Sequence, residues 1–151
     1  MCLKIYRGDF RRRTARKDIV VYKNFLLGRT HGTLVAPYFQ KYSYNQLGLQ
    51  QPIKLGIAEG YEVMHIREGY HSMSTSTGQV FNGTITLKCI IPKGTKYVCR
   101  KYADAWTHYV SENLIITDEC TSVSTCARNH LSSYKNRWNK IKEQMKERSV
   151  Y

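Results

Sequence analysis

The hydrophobic period of the chain changes once, and that change constrains the fold more than any other feature. Up to Asp118-Glu119 the apolar residues come in short alternating or β-branched runs, the pattern of half-buried strands. Beyond it Leu131, Tyr134, Trp138, Ile141 and Met145 fall at steps of three, four, three and four, one apolar stripe along a helix. The opposite face of that helix carries Lys135, Arg137, Lys140, Lys142, Lys146 and Arg148. The expectation is an α+β fold: a mainly β body over residues 1–119 and an amphipathic helix over residues 128–148. At 151 residues the chain has the size of one domain with its own core.

Within the body, Cys2–Tyr6, Asp18–Phe25, Tyr61–Ile66, Thr84–Ile91, Lys96–Tyr102 and Tyr109–Thr117 read as strands, and Pro92-Lys93-Gly94-Thr95 as a turn. Residues 28–60 are rich in Gly, Gln, Tyr and Asn and contain Pro37 and Pro52, a composition that predicts long irregular excursions. The segment from Glu68 to Gly78, Glu-Gly-Tyr-His-Ser-Met-Ser-Thr-Ser-Thr-Gly, reads as a polar loop. Its hydroxyls, imidazole and phenol are suited to a phosphate or ribose site. Asn82-Gly83-Thr84 fits a glycosylation sequon but is read as a turn.

Charge narrows the partners. Twenty-four Lys and Arg face eleven acids, a formal net charge of +13, and there are twelve tyrosines. Residues 1–29 carry nine basic and two acidic side chains, residues 30–119 eight and seven, and residues 120–151 seven and two. The ends hold the excess, which points to an anionic ligand: nucleotide, nucleic acid or phospholipid. The densest run spans Arg11, Arg12, Arg13, Arg16 and Lys17, where guanidinium groups can fork onto phosphate oxygens. If the two ends are neighbours in space, they form one basic face. No apolar stretch approaches the roughly 18 residues of a membrane span, and Met1-Cys2-Leu3-Lys4 does not open a signal peptide. The expectation is therefore a cytoplasmic protein without a membrane partner.

The motifs of hydrolytic chemistry are missing. The sequence has no G-x-S-x-G elbow, no H-E-x-x-H and no Walker loop. His31-Gly32-Thr33 has the spacing of two-histidine phosphoesterases, but neither His71-Ser72-Met73 nor His108-Tyr109-Val110 repeats it. Acids are scarce, which weakens a carboxylate-pair or two-metal scheme. Cys2, Cys89, Cys99, Cys120 and Cys126 are odd in number and form no C-x-x-C pair, so reduced thiols are expected and neither a metal nor a cofactor is assigned.

Two resemblances carry functional expectations. The opening Met1-Cys2-Leu3-Lys4-Ile5-Tyr6, the strand Asp18–Lys23 and the segments Glu68–Ser72, Cys89–Tyr97 and Tyr109–Ile116 resemble small uncharacterised proteins of bacteriophages and Bacteroidales mobile elements. More faintly, Val21-Tyr22-Lys23, Ser74-Thr75-Ser76 and Ser111-Glu112-Asn113-Leu114-Ile115 follow the order of the Arg, Ser-Thr-Ser and Glu motifs of mono-ADP-ribosyltransferases. In that family the Arg binds NAD phosphate and the Glu assists departure of nicotinamide. Here Lys23 replaces the Arg, which removes the bidentate fork, and Val110 stands where a second acid or Gln is often found.

Charge and resemblance together lead to a phage-type protein that sequesters a host immune nucleotide messenger without turnover, an anti-defence role in the host cytoplasm. Its expected ligand-binding residues are Tyr22, Lys23, Arg29, Tyr70, His71, Ser72, Ser74, Thr75, Arg100 and Lys101, with Arg11, Arg12, Arg13, Arg16 and Lys17 supplying electrostatic attraction. The alternatives are an enzyme acting on nucleotides, either an ADP-ribosyltransferase that uses Glu112 or a phosphodiesterase that uses His31 with His71, and a nucleic-acid-binding accessory protein. A homodimer through the apolar stripe of the C-terminal helix is a further expectation.

Overall fold

A computed structural model describes residues 3–28, 33–36, 43–76, 84–124 and 131–149. The strands are β1 (Leu3–Tyr6), β2 (Arg13–Thr14), β3 (Ile19–Leu27), β4 (Leu34–Val35), β5 (Ser43–Tyr44), β6 (Gly48–Leu49) and β7 (Ile57–Ala58). They continue with β8 (Val63–Ile66), β9 (Tyr70–Met73), β10 (Thr84–Ile91), β11 (Lys96–Tyr102), β12 (Trp106–Ser111) and β13 (Ile115–Ser124), and α1 spans Leu131–Arg148. The fold is α+β and mainly β. A large antiparallel sheet runs β2-β11-β12-β9-β3-β10-β13-β6, with β4 paired to β3 and β5 to β4, and a small one runs β1-β8-β7.

Alternation along the strands gives the large sheet two unlike faces. Val21, Phe25 and Leu27 of β3 and Ile85, Leu87, Cys89 and Ile91 of β10 point to the inner face and meet Trp138, Ile141 and Met145 of α1. Each such large apolar side chain, fully buried, contributes about 1.5–3 kcal/mol. The outer face is covered at one end, where Leu3, Ile5, Met64 and Ile66 of the small sheet close over Val98 and Val110. The rest of the outer face mixes buried polar side chains, Asn24, Thr84, Thr86 and His108, with half-buried and exposed ones, among them Val20, Tyr22, Met73, Lys88, Tyr102 and Trp106.

Several boundaries differ from the sequence reading. The polar segment after Gly69 is not a loop: Tyr70–Met73 is a strand with partners on both sides, β12 and β3, and only Ser74–Ser76 bends away. Ala103–Ala105 is a tight turn, so β12 begins at Trp106 and ends at Ser111 instead of running from Tyr109 to Thr117. There the chain breaks because Ser111 Oγ donates to the Asn113 carbonyl and Asn113 Oδ1 accepts from Leu114 N–H. Asp118-Glu119 interrupts no strand. The residues fall where the β10–β13 register shifts, a bulge that admits polar side chains, and β13 continues to Ser124. The irregular stretch 28–60 contains the short strands β4 to β7.

Trp138, Ile141 and Met145 of the α1 stripe are buried in the chain's own core, so these three are not available to a second copy. Of the helix expected over 128–148, residues 128–130 lie outside the described residues. The two basic segments are not side by side in the sheet. The arginine run leads into β2 at one end of the strand order, whereas α1 packs on β13 and β3, with β11, β12 and β9 between β2 and β3. No helix among the described residues is long and apolar enough to cross a membrane.

Candidate functional site

The turn at Ala103–Ala105 sets the register of a hairpin in which Tyr102 faces Trp106 and Arg100 faces His108. All four side chains stand on the outer face, since residues two apart on a strand share a side. The rings of Tyr102 and Trp106 stack at 4.6 Å between centroids with 13° between their planes. Trp106 and His108 continue the series at 6.1 Å and 21°. The Arg100 guanidinium lies 4.7 Å from the Tyr102 ring centroid, and it also lies 5.6 Å from the ring of Tyr6 on the small sheet. One of its N–H groups donates to the Lys4 carbonyl at 2.9 Å. The result is a row of flat groups, Tyr6, Arg100, Tyr102, Trp106 and His108, crossing from one sheet to the other.

His108 hands the row on to His71. The two rings meet edge to face, with His71 Nδ1 and His108 Nε2 3.0 Å apart. The carbonyl of Arg67 can only accept, so the N–H it receives at 2.6 Å is on His71 Nε2. His71 Nδ1 then accepts from His108 Nε2–H, which fixes both tautomers. Burial keeps both rings neutral: the pKa of His71 is pushed down to about 3 and that of His108 to about 4, with the Lys23 ammonium adding to the shift in each.

On the inner face, Lys23 is buried and donates to the His71 carbonyl at 2.7 Å, with its ammonium 5.8 Å from the centroid of Phe25. No carboxylate pairs with it among the described residues, and burial lowers its pKa to about 8, an effect the neighbouring Cys89 partly offsets. Cys89 is pushed up to about 12 by the same burial. Ser72 is also buried, and its Oγ has no hydrogen-bond partner among the described residues. Tyr70 donates its phenol O–H to the Gln51 carbonyl, and burial raises its pKa to about 12. Beside it opens a cavity of about 390 Å³ whose lining includes Ser43, Tyr44, Gln50 and Ile53, with no cation among the described residues.

The residues singled out from the sequence therefore divide by face. Tyr22, His71 and Arg100 share the outer face, whereas Lys23, Tyr70, Ser72 and Lys101 belong to the inner one. Ser74 Oγ accepts from the Thr107 N–H and so fastens the end of β9 to β12, with Thr75 next in the bend. Arg11, Arg12, Arg13, Arg16 and Lys17 are exposed. Arg11 bonds the Gly8 and Phe10 carbonyls, Arg12 lies 5.6 Å from the Phe10 ring, and Arg13 pairs with Tyr97 at the sheet edge. Glu112 follows the end of β12, where its N–H donates to the Lys96 carbonyl and its carbonyl accepts from the Ile53 N–H. Arg29 and His31 lie outside the described residues, as do Cys2 and Cys126, while Cys89, Cys99 and Cys120 are free thiols. Among the described residues no group of three or more His, Cys, Asp or Glu side chains is placed to hold a metal ion.

Sequence reading passed over Tyr6, Tyr102, Trp106 and His108. A signal was available: in Arg100-Lys-Tyr-Ala-Asp-Ala-Trp-Thr-His108 large flat side chains alternate on both sides of a small-residue turn, the signature of a hairpin with one aromatic face. Comparisons with protein-family models, curated proteins and solved structures find no match to the chain.

Proposed function

We propose that this protein binds an anionic nucleotide through the outer-face row and holds it without turnover. The observation that carries the reading is Arg100. Its guanidinium bridges two phenol rings, pairs with no carboxylate among the described residues, and uses one of its five N–H donors on a backbone carbonyl. Flat aromatic groups suit a base and an available guanidinium suits a phosphate. Exposed Lys4, Arg7, Arg11 and Arg12 on and just after β1 add positive potential beside Tyr6. Turnover would need a group poised to move a proton, and the one imidazole pair of the site is neutral and spends its facing nitrogens on each other. The resemblance to phage proteins makes a nucleotide messenger of host defence the first ligand class to try.

The test is native mass spectrometry of protein purified from bacteria that run a nucleotide-based defence system, followed by denaturation and identification of what is released. A stoichiometric, intact nucleotide is expected. Protein that emerges bare, and that leaves cyclic nucleotides, ADP-ribose derivatives and NAD both unbound and unchanged, overturns the reading. A second reading, nucleic acid, is favoured by the exposed basic face of α1, far from the row in strand order. Its affinity would fall steeply with salt, about one unit of slope per phosphate contact, and a single nucleotide would lose far less.

A further inference from the structure

Resting on the nucleotide reading above, we propose that Arg100 is the placeholder of a nucleobase slot between Tyr6 and Tyr102, displaced when a base enters and then recruited to the phosphate. Four observations carry it. The guanidinium is a planar group whose thickness matches that of a base, and it bridges two aromatic rings at 5.6 Å and 4.7 Å from their centroids. The two rings belong to different sheets, so their separation is set by the apolar core beneath, where Leu3 and Ile5 of β1 close on Val98 of β11. Tyr102 is also stacked on Trp106 at 4.6 Å, a contact that does not depend on the guanidinium. The Tyr6 wall is 59% exposed, which opens the slot to solvent.

What holds Arg100 there is weak enough to exchange. It has two ring contacts and one backbone acceptor, the Lys4 carbonyl at 2.9 Å, and no ion pair among the described residues. A base that takes its place restores the ring contacts, and the freed fork gains a phosphate that it grips with two parallel N–H bonds. A nucleoside restores only the first half, since expelling the guanidinium then brings no new acceptor. The arrangement therefore selects phosphorylated over unphosphorylated ligands by more than charge attraction alone.

Isothermal titration of the full chain with adenosine, adenosine 5′-monophosphate and ribose 5-phosphate tests this. In the wild type the monophosphate is expected to bind at least about tenfold more tightly than adenosine. Arg100→Ala empties the slot, so adenosine should bind more tightly than in the wild type while the advantage of the phosphate shrinks to about threefold or less. Arg100→Lys keeps a charge that is not flat. It should gain adenosine binding as the alanine variant does and keep part of the phosphate preference. Tyr6→Ala removes an exposed wall and should weaken both base-bearing ligands about tenfold with ribose 5-phosphate unaffected. If Arg100→Ala weakens adenosine and the monophosphate alike, or if Tyr6→Ala changes neither, the slot is wrong and the nucleotide reading stands. If the wild type binds none of the three ligands, the slot is overturned, while the nucleotide reading stands or falls by the native mass spectrometry.

Discussion

Lys23 and Arg100 lie on opposite faces of the same sheet, and the contrast between them separates what holds this fold from what it offers to a ligand. Lys23 points inward, where apolar neighbours strip its water and drop its pKa to about 8. Arg100 points outward, flanked by rings and left with donors to spare. The sequence gives the two residues one formal charge each; the layer that covers each face decides what that charge does. Under α1 a cation is a liability to stability, and beside the small sheet it keeps N–H donors that no described residue takes.

The contrast breaks most visibly if the faces prove energetically equal. Phe25→Ala, on the inner face, should cost about 3–5 kcal/mol in denaturant unfolding, whereas Trp106→Ala, half-exposed on the outer face, should cost only about 1 kcal/mol. Similar losses would mean that the outer row is structural after all.

Acid sharpens it next. His71 and His108 have folded pKa values of about 3 and about 4, below the ordinary 6.5, so between those limits the unfolded chain holds more protons and stability falls as the pH drops. Up to roughly 2 kcal/mol per histidine should be lost between pH 6.5 and about 5. His108→Gln should flatten that slope. Asp118, whose carboxyl is held low by its bond to Lys146, also loses stability as pH falls, but in a window below 3.8, so the two effects separate in a pH series.

Lys23→Met removes the buried charge and should stabilise the fold by about 1–2 kcal/mol at pH 7, the gain being reduced by the orphaned His71 carbonyl. The sign with pH is opposite to an ordinary surface lysine's indifference. With a folded pKa of about 8 against 10.5 unfolded, the wild type regains stability as pH rises through that window, and the gap to the variant should narrow there. A constant gap would place the charge of Lys23 in contact with water. The smallest effect is expected at Ala103, held at φ 49° in the hairpin turn: Ala103→Gly should stabilise by about 1 kcal/mol, read from the midpoint of thermal unfolding.

Much of the body and the helix could be read from alternation and a three-four stripe, because burial on one face imposes a period on the sequence. Trp138, Ile141 and Met145 are buried as the stripe requires. The site was less legible. Lys23, Ser72 and His71 looked like a polar ligand set because residue type reveals hydrogen-bonding capacity but not which side of a sheet consumes it. Their parity is set by strand pairing, which places Tyr22 opposite Met73. Tyr6 meets Arg100 across two sheets and ninety-odd residues, a juxtaposition set by how the sheets stack and therefore invisible to local pattern.

The strand order also has a temporal meaning. β3 waits for β10, β2 for β11, and the hydroxyl of Ser149 closes on the backbone of Leu47 more than a hundred residues earlier in the chain. Such non-local pairing makes for slow folding, on the order of milliseconds to seconds. On the ribosome the β-branched run of β3 emerges long before its partner strand exists. The arginine-rich stretch just ahead of it sets like charges beside that run, the placement that opposes aggregation of an unpaired strand before any folded surface exists.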